Sequence, residues 1–125
     1  MKLIVALPLM FLLFGACKKS ADGVVIKGKL VHRSCATVAV QVLDTAFYHL
    51  GQPIWQQAPN KPAYEHVFSV ENICSFPSAA TVGQEITFKV ISTDPSIKEC
   101  VTCALWDNPP AQKQLIQVVS VGKDK

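Results

Sequence analysis

The sequence predicts a small all-β domain, and three observations lead to that class. Short runs of alternating apolar and polar residues recur along the 125-residue chain, as expected of strands with one buried face. Clusters of glycine, proline, asparagine and serine separate these runs, and such residues favour turns. No amphipathic pattern extends over three helical turns. Together these features favour an antiparallel barrel of five to six strands, with a β-sandwich as the alternative.

The first two strands are expected to form a hairpin. Residues 24–31 alternate in polarity around Gly28, and a glycine inside a strand predicts a bend or a bulge. A polar turn at Arg33 and Ser34 follows, and residues 37–43 are then a nearly continuous run of apolar and β-branched residues. Because the connection is short, the two strands are expected to lie side by side.

Four further strands are expected in the rest of the chain. Residues 64–71 and 85–90 alternate in polarity and predict the third and the fourth strand. Residues 101–106 and 115–121 predict the fifth and the sixth. The Asp-Asn-Pro-Pro stretch at 107–110 cannot continue a hydrogen-bonded ladder, so it separates these last two strands.

Two connections are expected to be irregular. The first, at residues 44–62, carries a short helical turn over residues 45–50 that Gly51 closes. It exceeds the usual connection length, which predicts that it is either functional or packed on its own side chains. The second, at residues 72–82, is rich in proline and small residues and is expected to be a loop.

The order of these elements resembles that of the OB-fold barrel. The shared features are a bent first strand paired with the second, a third strand, an irregular segment, and a fourth strand entered through Gly83. The resemblance implies a ligand surface on the sheet face and adjoining loops, where oligosaccharides or oligonucleotides stack on aromatic rings. Tyr48, Trp55 and Trp106 are the candidate platform on this basis. The alternative, which we favour, is that these aromatics close one end of the barrel as a local core.

The N-terminus has the pattern of an export signal. Lys2 is followed by an apolar run at residues 3–14, and then by the small residues Gly15 and Ala16 and by Cys17. A run of about a dozen residues is too short to span a hydrocarbon core, which needs about 20. A cleaved secretory signal is therefore predicted in place of a membrane-spanning helix.

Phe14, Gly15, Ala16 and Cys17 resemble the bacterial lipobox. The resemblance implies a lipoprotein signal peptide over residues 1–16, lipidation of Cys17 and a tether over residues 17–23. Residues 24–125 then form a single all-β domain. Residue 18 is not aspartate, so the inner-membrane retention signal is absent, and an outer-membrane location in the cell envelope is favoured.

The remaining four cysteines are expected to form two disulfides, because an even number in an exported chain is typical of disulfide-bonded domains. They are Cys35, Cys74, Cys100 and Cys103. Two alternatives stay open: a zinc site, since Cys100 and Cys103 have Cys-x-x-Cys spacing, and a reactive dithiol. Strand geometry favours pairing Cys35 with Cys74 and Cys100 with Cys103, with a turn between the last two. If residues 100–103 are extended instead, they must bridge to the other two cysteines, and the OB-like order is expected to fail.

No pattern typical of an enzyme is present. His32, His49 and His66 are isolated, and no nucleophile elbow, metalloprotease helix or phosphate loop occurs. Eleven basic and nine acidic residues follow position 16, and without a basic stripe nucleic-acid binding is not expected.

These features predict a monomeric, lipid-anchored envelope protein that binds or assists a partner without catalysis, metal or cofactor. Its partner is expected to be an envelope protein or a saccharide, and its anchor contacts the membrane. The alternative function is that of an envelope thiol protein, in which Cys100 and Cys103 bind metal or exchange disulfides.

Overall fold

The computed structural model describes residues 21–95 and 99–123. The expected signal peptide and the lipidation site at Cys17 lie outside the described residues. Within them, seven strands belong to one sheet. The strands are β1 (Ile26–Arg33), β2 (Val38–Val42), β3 (Gln52–Gln56), β4 (Ala63–Val70), β5 (Glu85–Val90), β6 (Lys113–Gln114) and β7 (Ile116–Val121).

The strands follow the order β3-β4-β2-β1-β5-β7, and every pair along this path is antiparallel. The short strand β6 pairs in parallel with β4 at Ser69 and Val70. β6 directly precedes β7, so its pairing with β4 brings the β7 end of the sheet close to β4. The sheet is not closed, because β7 itself does not pair with β4. The predicted all-β class is confirmed, and the strand order is consistent with an OB-like or sandwich arrangement.

The main core is formed by one face of β1, β2, β4, β5 and β7. Phe68 and Phe88 are fully buried and contact each other edge to face, with ring centroids 5.4 Å apart. Gly28 is needed beside them, because a Cβ at this position would lie 2.8 Å from Val40 and 2.9 Å from Phe88. The irregularity of β1 lies between Leu30 and His32, so the bulge expected at Gly28 is displaced along the strand and Gly28 itself permits close packing.

A second, smaller cluster lies on the opposite face of the sheet. It consists of Val31, Ala39, Trp55 and Val67, with Tyr64 packed against it. Val31, Ala39 and Val67 each stand one position from a main-core residue, and successive strand residues point to opposite faces. Trp55 of β3 therefore covers a sheet face that would otherwise be exposed.

Two predictions about strands are wrong, and the short strand β6 (Lys113–Gln114) is a third difference, because no strand is predicted there. Residues 101–106 form no strand, and their large apolar side chains point to solvent: Val101 is 97 % exposed. The second error is β3, which lies inside the predicted irregular connection 44–62. Pro53 makes this strand difficult to predict from the sequence, because proline has no N–H to donate to a neighbouring strand and is tolerated mainly on edge strands. β3 is such an edge strand.

The predicted helical turn over residues 45–50 is confirmed as a 3-10 helix, Thr45–Leu50, which ends at Gly51. Gly51 packs tightly on β4, since a Cβ there would lie 2.2 Å from the carbonyl carbon of His66. A second 3-10 helix, Ile73–Ser75, lies in the connection between β4 and β5.

Candidate functional site

Two disulfides are present, as predicted, but the predicted pairing is wrong. Cys35 is bonded to Cys103, and Cys74 to Cys100, with Cα atoms 5.5 and 5.3 Å apart. Both bridges fasten one segment, residues 99–112, which we call the clamped segment. It passes from the end of β4 to the turn between β1 and β2 outside the sheet, so the bridges place no constraint on strand order. The expectation that extended residues 100–103 would exclude an OB-like order is therefore also wrong.

This pairing separates the two cysteines of the Cys-x-x-Cys sequence. Cys103 is bonded to the turn between β1 and β2, and Cys100 to the 3-10 helix Ile73–Ser75, so the two cysteines do not form one dithiol pair. Among residues 21–95 and 99–123, no group of three or more histidine, cysteine, aspartate or glutamate side chains could hold a metal ion.

Asp107 is a buried anchor within the clamped segment. Its Oδ2 atom lies 2.7 Å from Nε2 of His32 and accepts a hydrogen bond of 2.6 Å from Ser34, while Oδ1 accepts one of 2.5 Å from Thr37. Ser34 also accepts hydrogen bonds from the backbone N–H groups of Ala36 and Thr37. The anchor therefore joins the clamped segment to the same β1–β2 turn that the Cys35–Cys103 bridge holds.

The environment of Asp107 favours its ionised form. Burial acts to raise its pKa, but hydrogen bonds from Ser34, Thr37 and His32, together with the charge of His32, outweigh burial and hold the pKa below the usual value. Ser34 donates its hydroxyl hydrogen to Asp107 and not to His32. The serine, histidine and aspartate are therefore not arranged as a nucleophile, a base and an orienting acid.

Trp55 connects the second cluster to the clamped segment. Its side chain is only 3 % exposed, its ring meets that of His32 at 5.9 Å, and its indole N–H donates to the carbonyl oxygen of Asn108 at 2.8 Å. The Asn108 amide in turn donates to the backbone carbonyls of Gln56 and Gln57. These contacts fix the position of the backbone that follows Trp106.

Trp106 lies on the outside of this arrangement and is 78 % exposed. It borders a groove of about 470 Å³, which we call the Trp106 groove, with Gln52, Gln56, Pro109 and Lys113 on its other sides. The sequence signal for this position was the tryptophan beside a proline turn. No sequence pattern marks Asp107 as an anchoring residue, although its partners Ser34 and Thr37 have the spacing of a hydroxyl-stabilised turn.

The three aromatics of the predicted platform do not share one surface. Tyr48 belongs to the 3-10 helix, packs against the main core and stacks on His66 with ring centroids 3.8 Å apart. Trp55 is buried, so Tyr48 and Trp55 belong to the local core that was the alternative prediction. Only Trp106 is exposed, as a ligand platform would require. His66 has a positive φ of 58°, a conformation uncommon for a residue other than glycine.

Comparisons with protein-family models, with curated proteins and with solved structures found no match. Within the part of the chain that the structure describes, no helix has the length and apolar character needed to cross a membrane.

Proposed function

We propose that this chain is a lipid-anchored module of the bacterial cell envelope, and that it binds a partner without catalysing a reaction. The proposed anchor is Cys17, on the basis of the lipobox resemblance at Phe14–Cys17, and the absence of aspartate at position 18 favours the outer membrane. The proposed contact surface is the clamped segment. The two disulfides agree with this assignment, because such bonds persist in oxidising compartments.

The observation that carries the proposal is the exposure of Trp106 on a segment that two disulfides and a buried aspartate hold in place. An indole that is 78 % exposed lies next to a buried carboxylate with three side-chain partners and near two disulfides. Exposed apolar residues on a pre-ordered backbone favour binding, because little conformational entropy is lost when the partner arrives. Tryptophan is also among the residues that dominate binding energies at interfaces.

The alternative, a thiol protein acting through Cys100 and Cys103, receives less support from this geometry. Each of the two cysteines is bonded to a cysteine outside the Cys-x-x-Cys sequence. Reduction would have to release the clamped segment from two places before both thiols became available together.

Site-specific photocrosslinking in the intact cell tests the proposal. A benzophenone amino acid at position 106 is expected to form a discrete crosslinked product under illumination. The matched control is the same amino acid at Val119, which is 51 % exposed on β7, and it is expected to form none. Equal crosslinking at both positions, or none at position 106, would contradict a binding role for the clamped segment.

A further inference from the structure

The wall of the Trp106 groove carries one cation and no carboxylate. Among the residues that the structure describes, Lys113 is its single charged lining residue, and the polar lining is otherwise formed by the amides of Gln52, Gln56 and Asn108. The ring of Trp106 and the face of Pro109 supply apolar surface. A groove of this composition favours a ligand that has apolar faces, many hydroxyl groups and negative charge.

A second depression shares one lining residue, Trp55, with the Trp106 groove. It has a volume of about 350 Å³ and is bordered by Tyr64, Lys61 and Arg33, again without a carboxylate. Arg33 is held in place by hydrogen bonds to the carbonyl oxygens of Pro77 and Ala80. The second depression therefore also has cationic lining residues, Arg33 and Lys61, together with the aromatic Tyr64.

The polar groups of the Trp106 groove are pre-oriented. The Gln56 amide nitrogen donates to the carbonyl oxygen of Lys61 at 2.7 Å, and that of Asn108 donates to the carbonyl oxygen of Gln56 at 3.0 Å. These bonds restrict the rotation of both side chains. Groups held this way lose little rotamer freedom on binding.

An extended peptide is a poorer fit, because the neighbouring sheet edge is blocked. A peptide that adds a strand needs unpaired backbone groups along β3. Pro53 offers no N–H, the Gln52 side chain donates to the carbonyl oxygen of Ile54, and Asn108 donates to that of Gln56. The edge of β3 is therefore protected against strand addition.

We infer that the Trp106 groove binds an acidic oligosaccharide. Sugar rings present apolar C–H faces that pack on Trp106, their hydroxyl groups hydrogen-bond with the lining amides, and their carboxylates pair with Lys113 and, across Trp55, with Lys61. This inference rests on the proposed binding function and adds the chemical class of the ligand.

Calorimetric titration of the full lipoprotein in detergent with hexagalacturonate tests the inference, with maltohexaose and hexathymidylate as the neutral and the non-saccharide probe. Binding is expected for hexagalacturonate only, and it should weaken as salt is added. Trp106→Ala is expected to weaken it about tenfold or more, since a stacking contact is lost, and Trp106→Phe should restore most of the affinity.

Lys113→Gln is expected to weaken hexagalacturonate binding about two- to fivefold, as for one solvent-exposed ion pair. The matched control is Lys123→Gln, which removes the same charge from an exposed position in a different depression and should leave the affinity unchanged. Equal losses in the two lysine variants, equal binding of maltohexaose or of hexathymidylate, or no binding of hexagalacturonate would each overturn the inference. A discrete crosslink at position 106 would still support the binding function in those cases, so the two failures are distinguishable.

Discussion

Replacement of Asp107 by asparagine is expected to loosen the clamped segment and to destabilise the fold. Asp107 is 9 % exposed, and its carboxylate receives donors from three side chains. Asparagine has the same shape, but one of its two terminal atoms is an NH₂ group. In either orientation, that group faces a hydroxyl or an imidazole N–H that needs an acceptor.

The expected magnitude follows from the partners. A hydrogen bond to a charged group contributes about 1.5–3 kcal/mol, and the two donors on Oδ2, Ser34 and His32, would both lose a charged acceptor if the NH₂ group took that place. His32 is 23 % exposed and can turn to water, which recovers part of the loss. Ser34 cannot easily do so, because its oxygen already accepts two backbone N–H groups. We therefore expect a loss of about 2–4 kcal/mol in the free energy of unfolding.

The loss should depend on pH in a defined direction. The pKa of Asp107 in the folded protein is lowered, whereas in the unfolded chain an aspartate has a pKa of about 3.9. The carboxylate therefore stabilises the fold fully above the unfolded value, and this contribution disappears as the pH falls through the lower, folded value. The difference in stability between the wild-type protein and Asp107→Asn should be largest near neutral pH and should shrink below about pH 4.

Urea denaturation at several pH values, with both disulfides intact, measures this difference. Glu71→Gln is the matched control, because Glu71 is exposed and its change should alter stability by less than about 0.5 kcal/mol. A loss of less than about 1 kcal/mol for Asp107→Asn at neutral pH, or a loss that does not vary with pH, would refute the assignment of Asp107 as an ionised anchor.

Three further outcomes follow from the same structure. Trp55→Ala should lower the free energy of unfolding by about 3–5 kcal/mol, whereas Trp106→Ala should lower it by less than about 1 kcal/mol; equal losses in denaturant titrations would contradict the burial difference. Cleavage after glutamate residues under non-reducing conditions should yield Cys35, Cys74 and the Cys100–Cys103 peptide as one linked species, and a separate Cys100–Cys103 peptide would be evidence against the observed pairing. Cys17→Ser should abolish labelling by radioactive palmitate, and retained labelling would contradict the proposed anchor.

Much of the sheet could be predicted from the sequence, because alternation of polarity reports directly which side of a strand is buried. β1, β4 and β5 lie where alternation indicates them, and β2 and β7 also coincide with predicted strands. The same signal failed at residues 101–106, where apolar Val101 and Leu105 alternate with smaller residues although both are more than half exposed. Periodicity describes a local pattern and contains no information on whether a neighbouring strand is present to pair with.

The candidate site was less predictable because its contacts are distant in sequence. Asp107 meets His32, Ser34 and Thr37 across 70 to 75 positions, and no local pattern marks a single aspartate as their shared acceptor. The disulfide pairing failed for a related reason. It was argued from strand ends, but the segment that carries Cys100 and Cys103 lies outside the sheet and can reach both ends.

The clamped segment explains why this domain needs both its disulfides and its buried carboxylate. The clamped segment, residues 99–112, contains no helix or strand, and ordering the backbone of a residue costs about 1–2 kcal/mol. The segment buries few side chains in return, since Val101, Leu105 and Trp106 point outward. The two disulfides lower the conformational entropy of the segment already in the unfolded chain. In the folded protein, the hydrogen bonds of Asp107 fix the position of the segment against the β1–β2 turn. The indole N–H of Trp55 donates to the carbonyl oxygen of Asn108. In this way the buried Trp55 helps to position the exposed Trp106.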